Sequence, residues 1–300
     1  MTTSAAGSSR YNATVISHFG NEILFLTNTG ERLRGIPRQQ LPPLAAGDRI
    51  YYEASDKGLA VITELAPRHG ILTRRTRYQE KLVAVNIDQV LIISASKPLM
   101  KTGLIDRYLV ASELAGLRGV IVFNKVDLLD APQLQHVKEQ LAIYASIGYP
   151  VYYLSAKTGE GLDKFRQSLA NTTSVLVGHS AVGKSSLIKV LVPGSTPKIG
   201  GVSRANKGRH TTTHSELYPL DNDGLIIDSP GVREFGLNPV AAQKLAQGFR
   251  EFHPYLGHCR FRDCSHLNEP GCAIIAAEKD GLLNSKRVES YRNLLADFNK

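Results

Sequence analysis

The chain has 300 residues, 42% of them hydrophobic, and 36 Lys and Arg against 27 Asp and Glu give it a net charge of +9. That length suits two or three domains, and no apolar run approaches the roughly 20 residues of a membrane span, which excludes a membrane-spanning helix. Only three cysteines are present, all after residue 258; three thiols cannot all pair, so a disulfide-stapled secreted fold is excluded too.

Residues 1–10 are small and polar and read as a disordered tail. From Tyr11 to about Ala66, short alternating strands (Ala13–Ser17, Glu22–Leu26, Asp48–Tyr52) are separated by turns at Asn28-Thr29-Gly30, Pro42-Pro43 and Asp56-Lys57-Gly58. Five or so strands in so short a stretch predict a small closed β-barrel, with an OB-fold as the favoured form. Residues 67–81 follow as a basic linker, with Arg68, Arg74, Arg75, Arg77 and Lys81 against Glu80. The barrel itself is neutral, with six basic and six acidic side chains in residues 1–66. A basic linker beside a barrel suits contact with the phosphate backbone of RNA.

Residues 82–237 read as a mostly parallel sheet with helices on both faces. Gly119–Phe123 is an apolar strand that delivers Asn124, Lys125, Val126 and Asp127 to its carboxyl end. Asp127 is able to accept two hydrogen bonds, from the ring NH and exocyclic amine of guanine, a donor pair that adenine lacks. The Lys125 stem is suited to lie over the base, and Asn124 to tie this loop to the phosphate loop. The next strand, Val151–Leu154, ends in Ser155, Ala156 and Lys157, whose amides are placed to donate to the guanine oxygen.

A third strand, Ser174–Val177, leads into Gly178, His179, Ser180, Ala181, Val182, Gly183, Lys184 and Ser185, a complete G-x-x-x-x-G-K-[ST] phosphate loop. Ser186 and the apolar periodicity to Leu191 make the following segment a helix, whose N-terminus adds partial positive charge where phosphates sit. Lys184 is expected to reach the terminal phosphates and the Ser185 hydroxyl to bind magnesium (Mg2+). Downstream, Thr211, Thr212 and Thr213 offer a switch hydroxyl, with the choice among them open. A last strand ends at Asp228, placed for the outer shell of the magnesium, and Gly231 follows with an amide for the terminal phosphate. Lys198, Arg204, Lys207 and Arg209 make the segment before the threonines basic.

The region from 238 to 300 holds Cys259, Cys264, His266 and Cys272. Three thiolates and one imidazole form the donor set of a tetrahedral structural zinc site with no open position, so one Zn2+ per chain is expected. His258 is a rival ligand that the spacing disfavours. Clustered free thiols and the lack of a signal-peptide pattern point to a reducing cytoplasm.

In most GTPases the phosphate loop comes first and the base reader last; here the order is inverted. The motif order and the stretch from Cys259 to Cys272 resemble the RsgA (YjeQ) family of circularly permuted ribosome-assembly GTPases. The resemblance runs from the barrel to the zinc region. It implies a multidomain α/β chain: an N-terminal OB-fold barrel, a central circularly permuted P-loop GTPase and a C-terminal, mainly helical zinc-binding domain. It also implies a monomer that binds GTP and GDP and contacts the small ribosomal subunit and its rRNA, with no membrane partner. The expected activity is GTP hydrolysis, assisting late subunit assembly and stimulated by the subunit. The competing reading is an RNA-binding module that holds GTP with negligible turnover, because Val232 follows Gly231 where a water-orienting glutamine would stand. His210, just before the threonines, is the local candidate for positioning water; its alternative role is contact with rRNA or solvent.

Overall fold

Strands β1 (Ala13–Phe19), β2 (Glu22–Thr27), β3 (Arg32–Pro37), β4 (Arg49–Glu53) and β5 (Ala60–Leu65) close into a barrel of order β1-β2-β3-β5-β4. The computed structural model describes residues 11–55, 58–75, 80–194, 215–228 and 241–298, so the expected tail at 1–10 lies outside it. Alternation sets the barrel interior, as in β2, where Ile23 and Phe25 point inward with Ala13, Val15, Ile50 and Ile62. β1 is buried on both sides. A bulge between Val15 and Ser17 re-aims the strand, and Ile16 packs outward into the core of the neighbouring sheet.

The stretch expected to be a linker folds back on itself. β6 (Leu72–Arg75) and β7 (Glu80–Ala84) form an antiparallel hairpin. Ahead of it, Arg68 makes a two-pronged ion pair with Asp48, both contacts at 2.7 Å, and Asp48 is fully buried under the barrel. Arg68 therefore fastens the segment after the barrel back onto the barrel, and its guanidinium is engaged internally. Asn86 adds a second fastening by donating to the Gly47 carbonyl at 2.8 Å.

The central sheet has the order β10-β9-β8-β11-β13-β12, built from β8 (Gln89–Ala95), β9 (Arg118–Asn124), β10 (Val151–Tyr153), β11 (Thr173–Val177), β12 (Glu216–Pro219) and β13 (Leu225–Asp228). All neighbours are parallel except β12 with β13. β8 is buried along its whole length, as expected of a strand covered on both faces. Helices α1 (Thr102–Leu114) and α2 (Ala131–Ser146) pack Ile105, Leu109, Leu141 and Tyr144 on one face. Helices α3 (Leu162–Gln167) and α4 (Lys184–Leu191) pack Leu162, Phe165, Leu187 and Ile188 on the other. Inversion of motif order leaves this sheet intact: the phosphate-loop strand β11 sits centrally between β8 and β13.

The C-terminal region is helical, with α5 (Ala242–Gln247), α6 (Ala273–Lys279) and α7 (Ser285–Phe298) beside a 3-10 stretch at Arg250–Tyr255. Phe249, Phe252 and Tyr291 form its aromatic centre, and Val110 of α1 joins the same core. Arg287 of α7 is 1% exposed. It pairs with Asp106 of α1 and donates to Glu251 at 2.6 Å, while the Tyr144 hydroxyl donates to Asp106 at 2.8 Å. Burial works against the guanidinium charge, but the Asp106 and Glu251 carboxylates outweigh it and hold the pKa above the ordinary arginine value. No local motif marks Arg287 as a buried cation, so this joint was not expected.

Candidate functional site

The base reader and the phosphate loop are bonded into one unit. Asn124 is 1% exposed; its side-chain amide donates to the Val182 carbonyl at 3.0 Å, and its oxygen accepts from the Lys125 and Ala156 amides. That single side chain links the N-K-x-D loop, the Ser-Ala-Lys loop and the phosphate loop. Lys125, with φ +65°, reaches from the base reader to the Ala181 carbonyl at 2.6 Å and the Lys97 carbonyl at 2.8 Å. Gly183 has φ +100°, and a Cβ there would overlap the Asn124 amide. Glycine is thus required twice over, by conformation and by the close approach of Asn124.

Asp127 and Ser155 are joined by a hydrogen bond. The Ser155 hydroxyl donates to Asp127 Oδ1 at 2.6 Å and accepts from the Lys157 and Thr158 amides. Lys184 folds over its own loop and donates to the Gly178 and His179 carbonyls at 2.7 and 2.8 Å. His179, Ser180 and Ala181 are exposed, and Ser185 and Ser186 open α4 beside them. Val126 and Val182 pack their side chains into the two sheet cores. Asp228 ends β13, the parallel neighbour of β11. His210, Thr211, Thr212, Thr213, Gly231 and Val232 lie outside the described residues.

Two supports went unforeseen. The Lys97 carbonyl anchors Lys125, and Tyr108 of α1 hydrogen-bonds to the Gly178 backbone at the turn into the phosphate loop. Burial raises the Tyr108 pKa, so its hydroxyl stays protonated. No local sequence signal marks either contact, because both depend on how α1 lies across β8.

The second centre gathers Cys259, Cys264, His266 and Cys272, whose ligand atoms lie within 4.8 Å of one another. His258 is not part of this cluster. Burial, with the neighbouring thiols, pushes the Cys264 thiol up to about 12, and burial also lowers the His266 pKa. A quartet of this kind, with Cys264, His266 and Cys272 buried and Cys259 half-buried, becomes a set of thiolates plus neutral imidazole when a cation compensates the charge, which zinc supplies. The loop between the ligands is organised by Glu269. Burial opposes its ionisation, but hydrogen bonds from the Ser265 hydroxyl and the surrounding amides bring its pKa down to about 2. Tyr291 donates to the Ser265 carbonyl at 2.8 Å and ties that loop to α7. The donor set fits one zinc ion.

A family model described as RsgA GTPase matches residues 65–238. The chain is 42% identical over 286 residues to a small ribosomal subunit biogenesis GTPase RsgA of Pseudomonas aeruginosa (strain LESB58), covering 95% of this chain and 84% of the relative. The RsgA of Haemophilus influenzae (strain 86-028NP) is 42% identical over 277 residues, 90% of this chain and 80% of that relative. Among solved structures, YjeQ from Thermotoga maritima aligns with a TM-score of 0.80 at 32% identity, covering 96% of this chain and 98% of that one. YloQ, a circularly permuted GTPase, aligns with a TM-score of 0.76 at 23% identity over 99% and 98% of the two chains, a likeness of fold.

Proposed function

The chain belongs to the RsgA GTPase family, and from that premise we propose that it hydrolyses GTP on the small ribosomal subunit late in assembly, with turnover stimulated by the particle. The observation that carries this reading is the hydrogen-bonded junction of Asn124 and Lys125 with the phosphate loop. It holds guanine recognition and phosphate binding in one pocket although the chain visits them in reverse order.

In this reading Asp127 accepts from the guanine ring NH and amine, and the Ser155–Lys157 amides face the base oxygen. The Lys125 stem covers the base plane. Lys184 leaves the Gly178 and His179 carbonyls for the terminal phosphates; Ser185 would hold magnesium with Asp228 in its outer shell, and one of Thr211, Thr212 and Thr213 would supply the switch hydroxyl. Bound magnesium neutralises charge on the phosphates. Gly231 donates to the terminal phosphate. His210 positions the attacking water, since Val232 has no group to hold it. A neutral barrel (11–66), a basic segment (67–81), a GTPase domain (82–237) and a zinc domain (238–300) divide the work. The chain acts as a monomer in the cytoplasm and contacts rRNA through Arg74, Arg75, Arg77 and Lys81 and through the basic segment at 198–209.

Among the described residues no helix is long and apolar enough to cross a membrane, in keeping with a ribosomal partner. The test is phosphate release and subunit co-sedimentation for His210→Ala. The variant should retain GTP and subunit binding and lose most subunit-stimulated turnover. Unchanged stimulated turnover would move the water-positioning role elsewhere, and loss of subunit binding alone would assign His210 to rRNA contact.

A further inference from the structure

A groove of about 250 Å³ opens at the metal cluster, with Cys259, Cys264 and His266 in its lining, and nothing in the nucleotide mechanism uses it. Its walls include Gln243 and Gln247 of α5, Leu256, and the Phe261 and Arg262 side chains of the loop between two zinc ligands. Phe261 is 42% exposed, a large apolar ring held in solvent. Arg260 lies over that ring at 5.5 Å from its centroid, so the aromatic is flanked by a guanidinium on each side in sequence. Asp263 is the one acid between Gly257 and Cys264.

The polar groups suit one kind of ligand. Gln243 and Gln247 are four residues apart and share a helix face, and both are exposed. Gln243 donates its amide to the Asp263 carbonyl at 3.0 Å, which fixes the carboxamide and leaves its oxygen as an acceptor. The Gln247 side chain makes no hydrogen bond among the described residues, so it presents both a donor and an acceptor. A flat ring, two carboxamides and a pair of arginines match the face, the edge and the phosphate of one nucleotide. Paired bases in an RNA helix cannot present their faces this way, whereas splayed bases of single strands do.

We propose that this groove captures one unpaired RNA base, stacked on Phe261, hydrogen-bonded at its edge by Gln243 and Gln247, with its phosphate held by Arg262. The inference deepens the reading of the chain as an rRNA-contacting GTPase and rests on it. It assigns base capture to the zinc region, separate from the backbone contacts of the basic segments.

The test uses the full zinc-loaded chain and two fluorescein-labelled probes, a short oligoadenylate and an abasic strand of equal charge. Wild type should bind oligoadenylate about tenfold more tightly than the abasic strand, the size expected for one stacked base. Phe261→Leu should lose that preference while keeping its zinc, its intrinsic GTP turnover and its affinity for the abasic strand. Arg262→Ala should weaken both probes alike. Gln247→Ala, at an exposed position with no core role, should cut oligoadenylate binding severalfold, and it decides the matter if Phe261→Leu loses zinc. Equal binding of the two probes by wild type would overturn the proposal. So would loss of subunit binding in Phe261→Leu with oligoadenylate affinity intact, which would assign the groove to a protein. Failure of small subunits to stimulate wild-type turnover would refute the proposed function and leave base capture standing.

Discussion

In the proposed reading Asp127 carries the choice of nucleotide in a single carboxylate, which accepts from the Ser155 hydroxyl. In Asp127→Asn the side-chain oxygen still accepts from Ser155, so the loop keeps its shape. The second atom becomes a donor and meets the guanine amine as a clash of donors. Charge-assisted hydrogen bonds contribute about 1.5–3 kcal/mol each, so GTP affinity should fall at least about tenfold while XTP, which offers an oxygen there, should bind. Fluorescent-nucleotide competition checks this, and wild-type GTP affinity with no XTP binding would remove Asp127 as the base reader. At this scale the sequence was highly legible. Gly183, Lys184, Asn124 and Asp127 serve local chemistry whose demands on residue type are strict. Tyr108 and Lys97 were illegible because a buried tyrosine and a backbone carbonyl acquire their roles only from the packing of α1.

Between elements, the joint of α1 and α7 is held by Arg287 with Asp106 and Glu251, residues up to 181 positions apart. Arg287→Ala leaves two carboxylates buried without their cation, which costs about 3–5 kcal/mol. Urea denaturation should show that loss, and Arg287→Met combined with Asp106→Asn should recover part of it. A change within about 0.5 kcal/mol, the scatter of neutral surface substitutions, would mean the network is not a structural joint. The zinc cluster sets the other limit of that region. Metal analysis should return one zinc per chain, and Cys264→Ser should release it and unfold the C-terminal helices while nucleotide binding persists in part. A metal-free wild type with a folded C-terminal region would contradict the assignment. The cysteine spacing announced this centre, and period-two and apolar runs announced β1, β2, β4, β9, β10, β11 and β13, while β3, β5, β8 and β12 were not individually marked. The β6–β7 hairpin was missed because its short strands, LTRR and EKLVA, lack an apolar alternation; Leu72 is its buried anchor, and pairing comes from the chain doubling back between barrel and sheet.

Across the whole molecule, permutation moves the chain ends without disturbing the strand order around β11. The barrel precedes the sheet and is fastened by Arg68 to Asp48 and by Asn86 to Gly47. The zinc region follows it and is fastened through Arg287. The barrel thus bonds to the segment that leads into β8, and the C-terminal region bonds to α1, which packs on the sheet. The order of motifs made the permutation legible. The fastening was not, because the net charge of +9 does not reveal which arginines are engaged internally.

The most direct measurement is steady-state phosphate release from GTP by the purified wild-type chain, titrated with small ribosomal subunits and, separately, with large ones. A saturating rise in rate with small subunits alone, abolished in Lys184→Ala, is the expected result. A rate that stays the same with and without small subunits would contradict a GTPase that works on that particle.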